Sequence, residues 1–478
     1  MRENTVLETV GLSVQYPGED CPVLENLDIQ AGRGEFILVA GPSGGGKSSF
    51  LYSVNGVIPH LTRAEISGDI LLEGASILAA TPAARARALG SVLQNPDDQI
   101  IFDRVDDEIA FALENLEIPP EEMQEKIDNA LERMRLRPDA NPARLSGGEK
   151  QRLVTATTLA MGQKILLFDE PLANLDYSGA IRLLDTLRAL CTEQGYTVLF
   201  VEHRLDWVLD YADRILWIEE GWHGCFSSRA EFVPFWEEKL NKALSFTWEE
   251  RSVSAGDEVL LKAEGLTWSA QKRELLRDVD FTLRRGERWV LIGDNGSGKT
   301  SFMHLLAGLQ RPTKGKVSCA YAPKERFQKM GVILQNPNYQ LFMPTVHEEI
   351  AYRAVSQARV EKLMAAFELQ GLGHRHPHSL SEGQKRKVGV AAILAMDPEL
   401  LLFDEPTVGQ DYRSLTLMIG ELNRMNRKKP LTMLTITHDT RCAHLLGDHV
   451  LWIERGAVAA QGSLELLKQY RSGEHTVI

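Results

Sequence analysis

The stretch FILVAGPSGGGKS, residues 36–48, decides how this chain folds. Its five leading apolar residues predict a buried strand, and the glycine-rich pattern GxxxxGKS follows at once. Glycines let backbone N–H groups face a phosphate, and a helix that begins after the turn presents its positive end at the same place. We therefore predict a phosphate-binding loop. Lys47 is expected to reach the outer phosphates of a nucleotide, and Ser48 to bind Mg²⁺ through its hydroxyl.

The same loop occurs again as GDNGSGKT, where Lys299 lies 252 residues after Lys47 and Thr300 takes the place of Ser48. Three further segments recur in the same order: LQNP at 93–96 and 334–337, LSGGEKQR at 145–152 with LSEGQKRK at 380–387, and LFDEP at 167–171 and 402–406. A shared order of motifs indicates a duplicated domain. Within each copy short apolar runs alternate with helical patterns, which predicts an α/β architecture.

Two acidic pairs follow the central apolar runs. Asp169 and Asp404 end predicted strands, where a carboxylate can hold Mg²⁺ through water. Glu170 and Glu405 come directly after them, and each can position an attacking water and accept its proton. The alternative is that these glutamates only cap the turn that the next proline requires. Because both copies keep the pair within the full motif order, we predict that the two glutamates are catalytic.

Two other polar residues also close strands in both copies. We assign His203 and His438 to the γ-phosphate, although a single histidine at a strand end is more often structural. Gln94 and Gln335 end another strand, where they can contact Mg²⁺ or the attacking water while sensing a partner.

Taken together, the phosphate loop, the glutamine, LSGG, the Asp-Glu pair and the histidine resemble the ABC ATPase family over nearly the whole chain, twice. The resemblance implies two P-loop NTPase domains of ABC type, each with a RecA-like α/β core, a helical subdomain and an antiparallel β subdomain. It also implies head-to-tail packing into an intramolecular pseudo-dimer, in which the signature of one half covers ATP bound in the other. One site would use Lys47, Ser48, Gln94, Asp169, Glu170 and His203 with Ser381 and Gly383. The other would use Lys299, Thr300, Gln335, Asp404, Glu405 and His438 with Ser146, Gly147 and Gly148.

Other site residues follow from the same resemblance. The loops would contribute Gly41, Ser43, Gly44, Gly46 and Ser49 in one copy and Gly293, Asn295, Gly296, Gly298 and Ser301 in the other. Asp176 and Asp411 match the family's interface aspartate. Tyr16 and Trp268 match the position of its adenine-stacking aromatic ring, although an aromatic residue in a strand is commonly part of the core.

One residue departs from the family pattern. The second signature reads LSEGQ, so Glu382 stands where the family usually has glycine. A carboxylate close to the γ-phosphate would be repelled, and a Cβ restricts the approach of the backbone. We therefore hypothesise that the Lys47 site turns over more slowly than the Lys299 site.

Composition limits the number of domains, the cellular compartment and the kinds of partner that we expect. A chain of 478 residues is too long to fold around a single hydrophobic core. Its five scattered cysteines, without a CxxC pair, indicate a reduced, cytosolic chain. A formal charge of −13 argues against a general affinity for nucleic acid. Neither a secretory signal nor a membrane-spanning apolar run is found, so any membrane role is expected to be peripheral and to depend on a partner.

The segments after the two glutamines, QNPDDQIIFDRVDDEIAFALENL and QNPNYQLFMPTVHEEIAY, resemble the ATPases of energy-coupling factor (ECF) importers, here in tandem form. The resemblance implies a peripheral protein on the cytoplasmic face of the membrane. Its partners would be a transmembrane coupling protein, whose helices lie in grooves near the glutamine segments, and a small substrate-binding membrane protein. The transported vitamin, vitamin precursor or metal ion is not specified by this chain.

Two alternatives remain open. A tandem sugar-importer ATPase has a similar length, but its glutamine is not followed by NPxxQ. A soluble tandem ABC protein that acts on ribosomes usually carries a longer, strongly charged linker. We predict domains at 1–230 and 258–478, joined by a linker at 231–257 that we interpret as a surface connector. A packed helix through 236–244 is the alternative for that linker.

Overall fold

A computed structural model describes residues 4–173, 175, 177–243, 257–270, 273–406, 412–437 and 440–472. The chain divides into two compact units, Met1–Lys239 and Leu240–Ile478, and each is described by itself.

The strands of the first unit are β1 (Thr5–Gln15), β2 (Leu24–Gly32), β3 (Phe36–Ala40), β4 (Glu65–Leu72), β5 (Ala75–Ser76), β6 (Leu89–Val92), β7 (Ile165–Asp169), β8 (Thr197–Val201), β9 (Arg214–Glu219) and β10 (Trp222–Phe226). Its helices are α1 (Lys47–Asn55), α2 (Val57–His60), α3 (Pro82–Arg85), α4 (Val105–Asn115), α5 (Pro120–Met134), α6 (Gly147–Met161), α7 (Tyr177–Gln194), α8 (Leu205–Val208) and α9 (Arg229–Ala243).

The strands of the second unit are β11 (Val259–Ala270), β12 (Arg273–Arg284), β13 (Arg288–Ile292), β14 (Lys314–Cys319), β15 (Met330–Ile333), β16 (Leu400–Asp404), β17 (Thr432–Ile436), β18 (His449–Glu454) and β19 (Ala457–Ser463). Its helices are α10 (Lys299–Ala307), α11 (Pro323–Lys329), α12 (Val346–Ala351), α13 (Gln357–Ala366), α14 (Glu382–Ala395), α15 (Tyr412–Lys428), α16 (Thr440–Leu446) and α17 (Leu466–Ser472).

A six-stranded sheet forms the core of each unit. In the first unit its order is β10-β9-β3-β8-β7-β6, and all neighbours are parallel except β10 and β9. In the second unit the order is β15-β16-β17-β13-β18-β19, with only β19 antiparallel. Every residue of β3, β7 and β8 is buried, because helices cover both faces of a parallel sheet. This explains why these strands are unbroken apolar runs in the sequence.

An antiparallel sheet and a helical group complete each unit. The antiparallel sheets have the orders β2-β1-β4-β5 and β12-β11-β14. In the first unit α4, α5 and α6 enclose a separate apolar core, in which Ile127, Leu131 and Met134 of α5 are buried and Met123 is packed against them. Their helical spacing therefore marks a packing face. The predicted fold class, an α/β core with an antiparallel β and a helical subdomain in each copy, is confirmed.

Helix α9 corrects the interpretation of the linker as a surface connector. It begins at Arg229 and continues to Ala243, and the aromatic rings of Phe232 and Trp236 pack on Trp217 of β9, with centroids 5.9 and 5.6 Å apart. Lys239 also pairs with Glu219 at 2.5 Å. Aromatic rings bury large apolar areas, which stabilises this helix on its unit. The linker boundaries at 231 and 257 remain a prediction.

In the ranges described above, none of the helices combines the length and the apolar character that crossing a bilayer requires.

Candidate functional site

The site of each unit lies at the carboxyl ends of its central parallel strands. In the first unit Val201 of β8 pairs with both Val39 of β3 and Asp169 of β7, so the three strand ends form one row. In the second unit Ile436 pairs in the same way with Leu291 and Asp404. This register places the phosphate loop after β3 or β13 beside the acidic pair, as expected at the carboxyl edge of an open α/β sheet.

The phosphate loop holds its lysine inward. Lys47 is buried, and its Nζ donates to the carbonyl oxygens of Gly41 and Pro42 at 3.0 and 2.7 Å. Lys299 donates to Gly293 and Asp294 at 2.7 and 2.9 Å. A buried lysine ammonium in the loop is a compact point charge, which suits it to bind phosphate oxygens.

The acidic residue at the end of β7 contacts the loop directly. The Ser48 hydroxyl lies 3.2 Å from Asp169 Oδ1, while Oδ2 is buried and has no hydrogen-bond partner in the part of the chain that the structure describes. Burial raises the pKa of Asp169 to about 7, and the adjacent Glu170 carboxylate adds to the rise. A carboxylate that is buried without a full set of partners is costly in its charged form. The site therefore favours a cation at this position.

Glu170 is held by two of the other predicted site residues. His203 Nε2 lies 2.9 Å from Glu170 Oε1, and the Gln94 amide donates to Oε2 at 3.0 Å. Burial raises the pKa of the Glu170 carboxyl, but His203, and after it Lys47 and Gln94, outweigh burial and bring the pKa to about 2. Glu170 is thus kept ionised, the form that accepts a proton. Its backbone has φ 49°, and its N–H is fixed by the Val201 carbonyl at 3.0 Å.

The second unit repeats the acidic pair with different partners. Asp404 is buried, and neither of its carboxylate oxygens has a hydrogen-bond partner with good geometry among the described residues. Burial raises the pKa of Asp404, and the nearby Thr300 hydroxyl opposes this rise. Glu405 again has φ 49°, and its N–H donates to Ile436 at 2.9 Å. Its carbonyl oxygen accepts from Arg386, a residue of the signature helix, at 2.5 Å.

Both signature serines begin a helix. Ser146 caps α6 and Ser381 caps α14; each hydroxyl accepts from the backbone N–H three residues later, at 3.3 Å in both cases. The N-terminus of a helix of this length carries partial positive charge, which favours a phosphate. Glu382 takes the first helical position of α14, where α6 has Gly147. The Glu382 side chain lies outside the described part of the structure.

The predicted aromatic residues are half-buried. Tyr16 packs against the core of its unit, and its hydroxyl is 2.9 Å from Ser49 Oγ on the helix after the phosphate loop. Trp268 packs against the corresponding core in the second unit. Tyr16 thus contacts the helix that follows its phosphate loop, and adenine stacking by either aromatic ring remains a prediction. His438, Asp176 and Asp411 lie outside the described residues.

Residues 24–173 and 276–408, which together make up more than half of the chain, match the sequence profile of the ABC transporter family. This chain belongs to the ABC transporter family. Its two matched regions make it a tandem ABC ATPase, an enzyme that binds and hydrolyses ATP.

Its relatives include proteins of similar length. It is 32% identical over 505 residues to the "Putative HMP/thiamine import ATP-binding protein YkoD" of Bacillus subtilis. The alignment covers 97% of this chain and 92% of that protein. It is 33% identical over 490 residues to an ABC transporter ATP-binding protein of Vibrio parahaemolyticus, VPA1482, with 91% and 85% covered. The solved structure of RNase-L Inhibitor is similar with a TM-score of 0.68, covering 96% of this chain and 92% of that one, but its 20% identity shows the fold alone.

Sequence reasoning missed three groups of residues in this ABC ATPase. Glu202, buried beside the strand-end histidine, accepts the N–H groups of His203 and Arg204 at 2.7 and 3.0 Å. Arg386 lies outside the signature pattern, which consists of the serine and the glycines that precede it. Glu108 and Glu349, buried acidic residues shortly after each glutamine segment, fix the loops described below. A buried acidic residue indicates a structural or functional role. Its burial, however, cannot be predicted from one charged residue within a helical pattern.

The arrangement in the ABC ATPase fits hydrolysis of a phosphoanhydride. Magnesium, when bound with ATP, would neutralise charge on the outer phosphates. The hydroxyls of Ser48 and Thr300 and the carboxylates of Asp169 and Asp404 fit a hard cation. Asp169 Oδ2 and both Asp404 carboxylate oxygens are buried without a hydrogen-bond partner among the described residues, and oxygen ligands are those that Mg²⁺ prefers. Gln94 and His203 contact the two carboxylate oxygens of Glu170, an arrangement that would suit this carboxylate to accept a proton from an attacking water.

Proposed function

We propose that this ABC ATPase energises an ECF-type importer for a vitamin, a vitamin precursor or a metal ion. In this proposal two Mg·ATP sites form between the halves, and the signature of each half covers the phosphate loop of the other. ATP binding closes the halves and hydrolysis reopens them, because ATP binds the closed state more tightly. The import-related name of the Bacillus subtilis relative supports this function.

The observation that carries the proposal is an exposed apolar loop after each glutamine. Glu349 Oε2 accepts the N–H groups of Phe342 and Met343 at 2.8 and 2.7 Å, and Glu108 binds Ile101 and Phe102 in the same way. These bonds fix the loop backbone from the inside. Even so, Ile101 is 70% exposed and Phe342 is 64% exposed.

In the second unit the exposed residues form a continuous surface, which we call the aromatic patch: Phe327, Phe342, Tyr352 and Arg353. Phe342 and Tyr352 meet edge-to-face with ring centroids 5.2 Å apart, and the Arg353 guanidinium lies 5.7 Å from the rings of both Tyr352 and Phe327. Contiguous exposed aromatic rings usually mark a protein interface. We propose that a cytoplasmic helix of the transmembrane coupling protein binds here, next to Gln335.

Replacing Phe342 and Tyr352 by arginine tests this interface. We expect the amount of membrane partner that copurifies in gentle detergent to fall about tenfold or more, because buried aromatic residues dominate interface energies. ATP turnover of the isolated chain should stay within about twofold, since the patch does not contain the acidic pair. Val259→Arg is the matched control, because Val259 is an exposed apolar residue of the same unit.

The identity of the copurifying proteins decides between the candidate functions. A polytopic coupling protein and a small membrane protein, recovered in similar amounts from native membranes, support the importer. Ribosomal subunits, or no membrane protein of comparable abundance, would replace the importer by a soluble tandem ABC ATPase. Recovery that is unchanged in the Phe342 and Tyr352 variant would refute the docking surface alone.

A second prediction concerns Glu382. We expect the Lys47 site, which the second signature would cover, to hydrolyse ATP about tenfold more slowly than the Lys299 site, a difference of about 1.4 kcal/mol in activation free energy. Single-turnover hydrolysis in Glu405→Gln reports the Lys47 site, and Glu170→Gln reports the Lys299 site. Equal residual rates would contradict the prediction. Glu382→Gly should raise the slower rate only.

A further inference from the structure

The two halves connect their glutamine and their catalytic glutamate in different ways. The difference arises at the fifth residue after each signature serine, which is Gln151 in α6 and Arg386 in α14. No insertion separates this position from the acidic pair, because Gln151 and Glu170 are as far apart in sequence as Arg386 and Glu405. The two positions are therefore equivalent in the duplicated domains.

In the second unit Arg386 joins two backbone carbonyls. Its Nη1 donates to the Glu405 carbonyl oxygen at 2.5 Å, and its Nη2 donates to the Gln335 carbonyl oxygen at 2.7 Å. Arg386 is buried, whereas the Gln335 residue as a whole is exposed. The glutamine segment and the catalytic glutamate of this half are thus tied together through the main chain.

In the first unit the connection runs between side chains. The Gln94 amide donates to the Glu170 carboxylate at 3.0 Å. Gln151 is only 1% exposed, and neither its Oε1 nor its Nε2 has a hydrogen-bond partner within the described ranges. The Glu170 carbonyl oxygen accepts from the N–H of Ala173 at 3.2 Å. Gln151 therefore provides no link of the kind that Arg386 makes.

The chemistry of the two side chains explains this difference. A guanidinium is planar and presents donors on two separate terminal nitrogens, so it can bind two carbonyl oxygens at once in a fixed geometry. A glutamine amide has a single nitrogen and a shorter stem. The Glu405 backbone lies in the left-handed region at φ 49°, which a residue with a Cβ adopts only when its surroundings hold it there. The Arg386 bond to the Glu405 carbonyl acts on this strained peptide.

We propose that Arg386 is a positioning residue of the Lys299 site, where it fixes the Glu405 backbone against the glutamine segment. In the Lys47 site the glutamine and the glutamate contact each other through their side chains, and Gln151 takes no part in the connection. The proposal rests on the ATPase activity and not on the transport role. Because Ser381 caps the same helix that carries Arg386, any movement of the second signature is transmitted to Gln335 and Glu405. The two ATP sites of this chain are thus built differently within their own halves.

Site-resolved vanadate trapping tests the proposal in the full chain. The protein is incubated with 8-azido-ATP, Mg²⁺ and vanadate, irradiated, and cut at a protease site inserted between residues 244 and 256, so that the label in each half is read separately. For Arg386→Met we expect about a tenfold loss of trapped label in the Lys299 half and less than a twofold change in the Lys47 half. Arg386→Lys should recover part of the loss, because lysine keeps the charge but not the two-pronged geometry.

Two controls separate positioning from folding. Labelling on ice without vanadate reports ATP binding, and Arg386→Met should leave it within about twofold in both halves, since Lys299 and its loop are untouched. Gln151→Met, the matched substitution in the first half, should change trapping by less than about twofold, because none of the described residues hydrogen-bonds the amide that it removes. Arg386→Gln copies the residue that the first half already accommodates, and it replaces Arg386→Met if that variant does not fold.

The inference is overturned by unchanged trapping in Arg386→Met or Arg386→Gln, by an equal loss in both halves, or by loss of ATP binding in the Lys299 half. Absence of trapping in both halves of the unmodified chain would overturn the ATPase assignment itself and this inference with it. A selective loss in the Lys299 half, partly recovered by lysine, supports it.

Discussion

Replacing both Glu170 and Glu405 by glutamine is expected to lower the rate of ATP hydrolysis about a thousandfold, the size of a general-base contribution. Glutamine has nearly the same shape as glutamate but cannot accept the proton of the attacking water. In the first half the new amide can still meet Gln94 and His203, which now contact the two carboxylate oxygens. The double variant should therefore keep the geometry of the site and lose its base.

ATP affinity provides the second measurement for this variant. We expect the dissociation constant for a fluorescent ATP analogue to change less than about threefold, because Lys47 and Lys299 each donate to the carbonyl oxygens of their own loop, which the substitution leaves in place. Glu264→Gln is the control, since this half-exposed glutamate pairs with Lys262 and Lys316 on the antiparallel sheet of the second unit. A double variant that keeps more than a tenth of the turnover would show that the glutamates are not the catalytic bases.

The architecture, and the residues that come together at the site, could be predicted from the sequence alone. Apolar runs such as ILLFD at 165–169 are specific signals, because only a strand covered on both faces needs five consecutive buried residues. Their polar end residues then meet at one edge, since all central strands are parallel. Asp169, Glu170, Gln94 and His203 are brought together in this way.

The contacts that distinguish the two halves could not be predicted in the same way. Arg386 and Gln151 are single letters within a helical pattern, and whether such a residue faces solvent or the buried side of its helix depends on tertiary packing. The packing of helix α9 is not predictable from its sequence for a related reason. Its aromatic residues and charges alternate without a clear apolar stripe, and a proline lies inside it, but Trp217 of β9 offers a surface that these rings cover.

The second large effect is expected for Gly41→Ala in the phosphate loop. Gly41 has φ 143°, and a Cβ there would lie 1.8 Å from the carbonyl oxygen of Ile218. That oxygen belongs to the main chain of β9, so it cannot rotate away as a side chain does. Relief requires the loop or the strand to shift, at a cost on the order of 4 kcal/mol, which places this substitution in the severe class. The second loop has the same constraint, because a Cβ on Gly293 would lie 2.1 Å from the Ile453 carbonyl oxygen.

Thermal unfolding followed by circular dichroism measures this cost against a matched glycine. Gly221 lies in the turn after β9 with φ 69°, and a Cβ there would meet nothing within 4 Å. Gly221→Ala therefore carries only the backbone strain of a left-handed residue, about 1 kcal/mol, or a fall of about 3 °C in the unfolding midpoint. Gly41→Ala should lower the midpoint by about 10 °C and abolish ATP labelling of its half, because the displaced loop no longer aims its N–H groups at the phosphates. Equal shifts for the two variants would mean that the phosphate loop tolerates a Cβ and that its glycine serves flexibility alone.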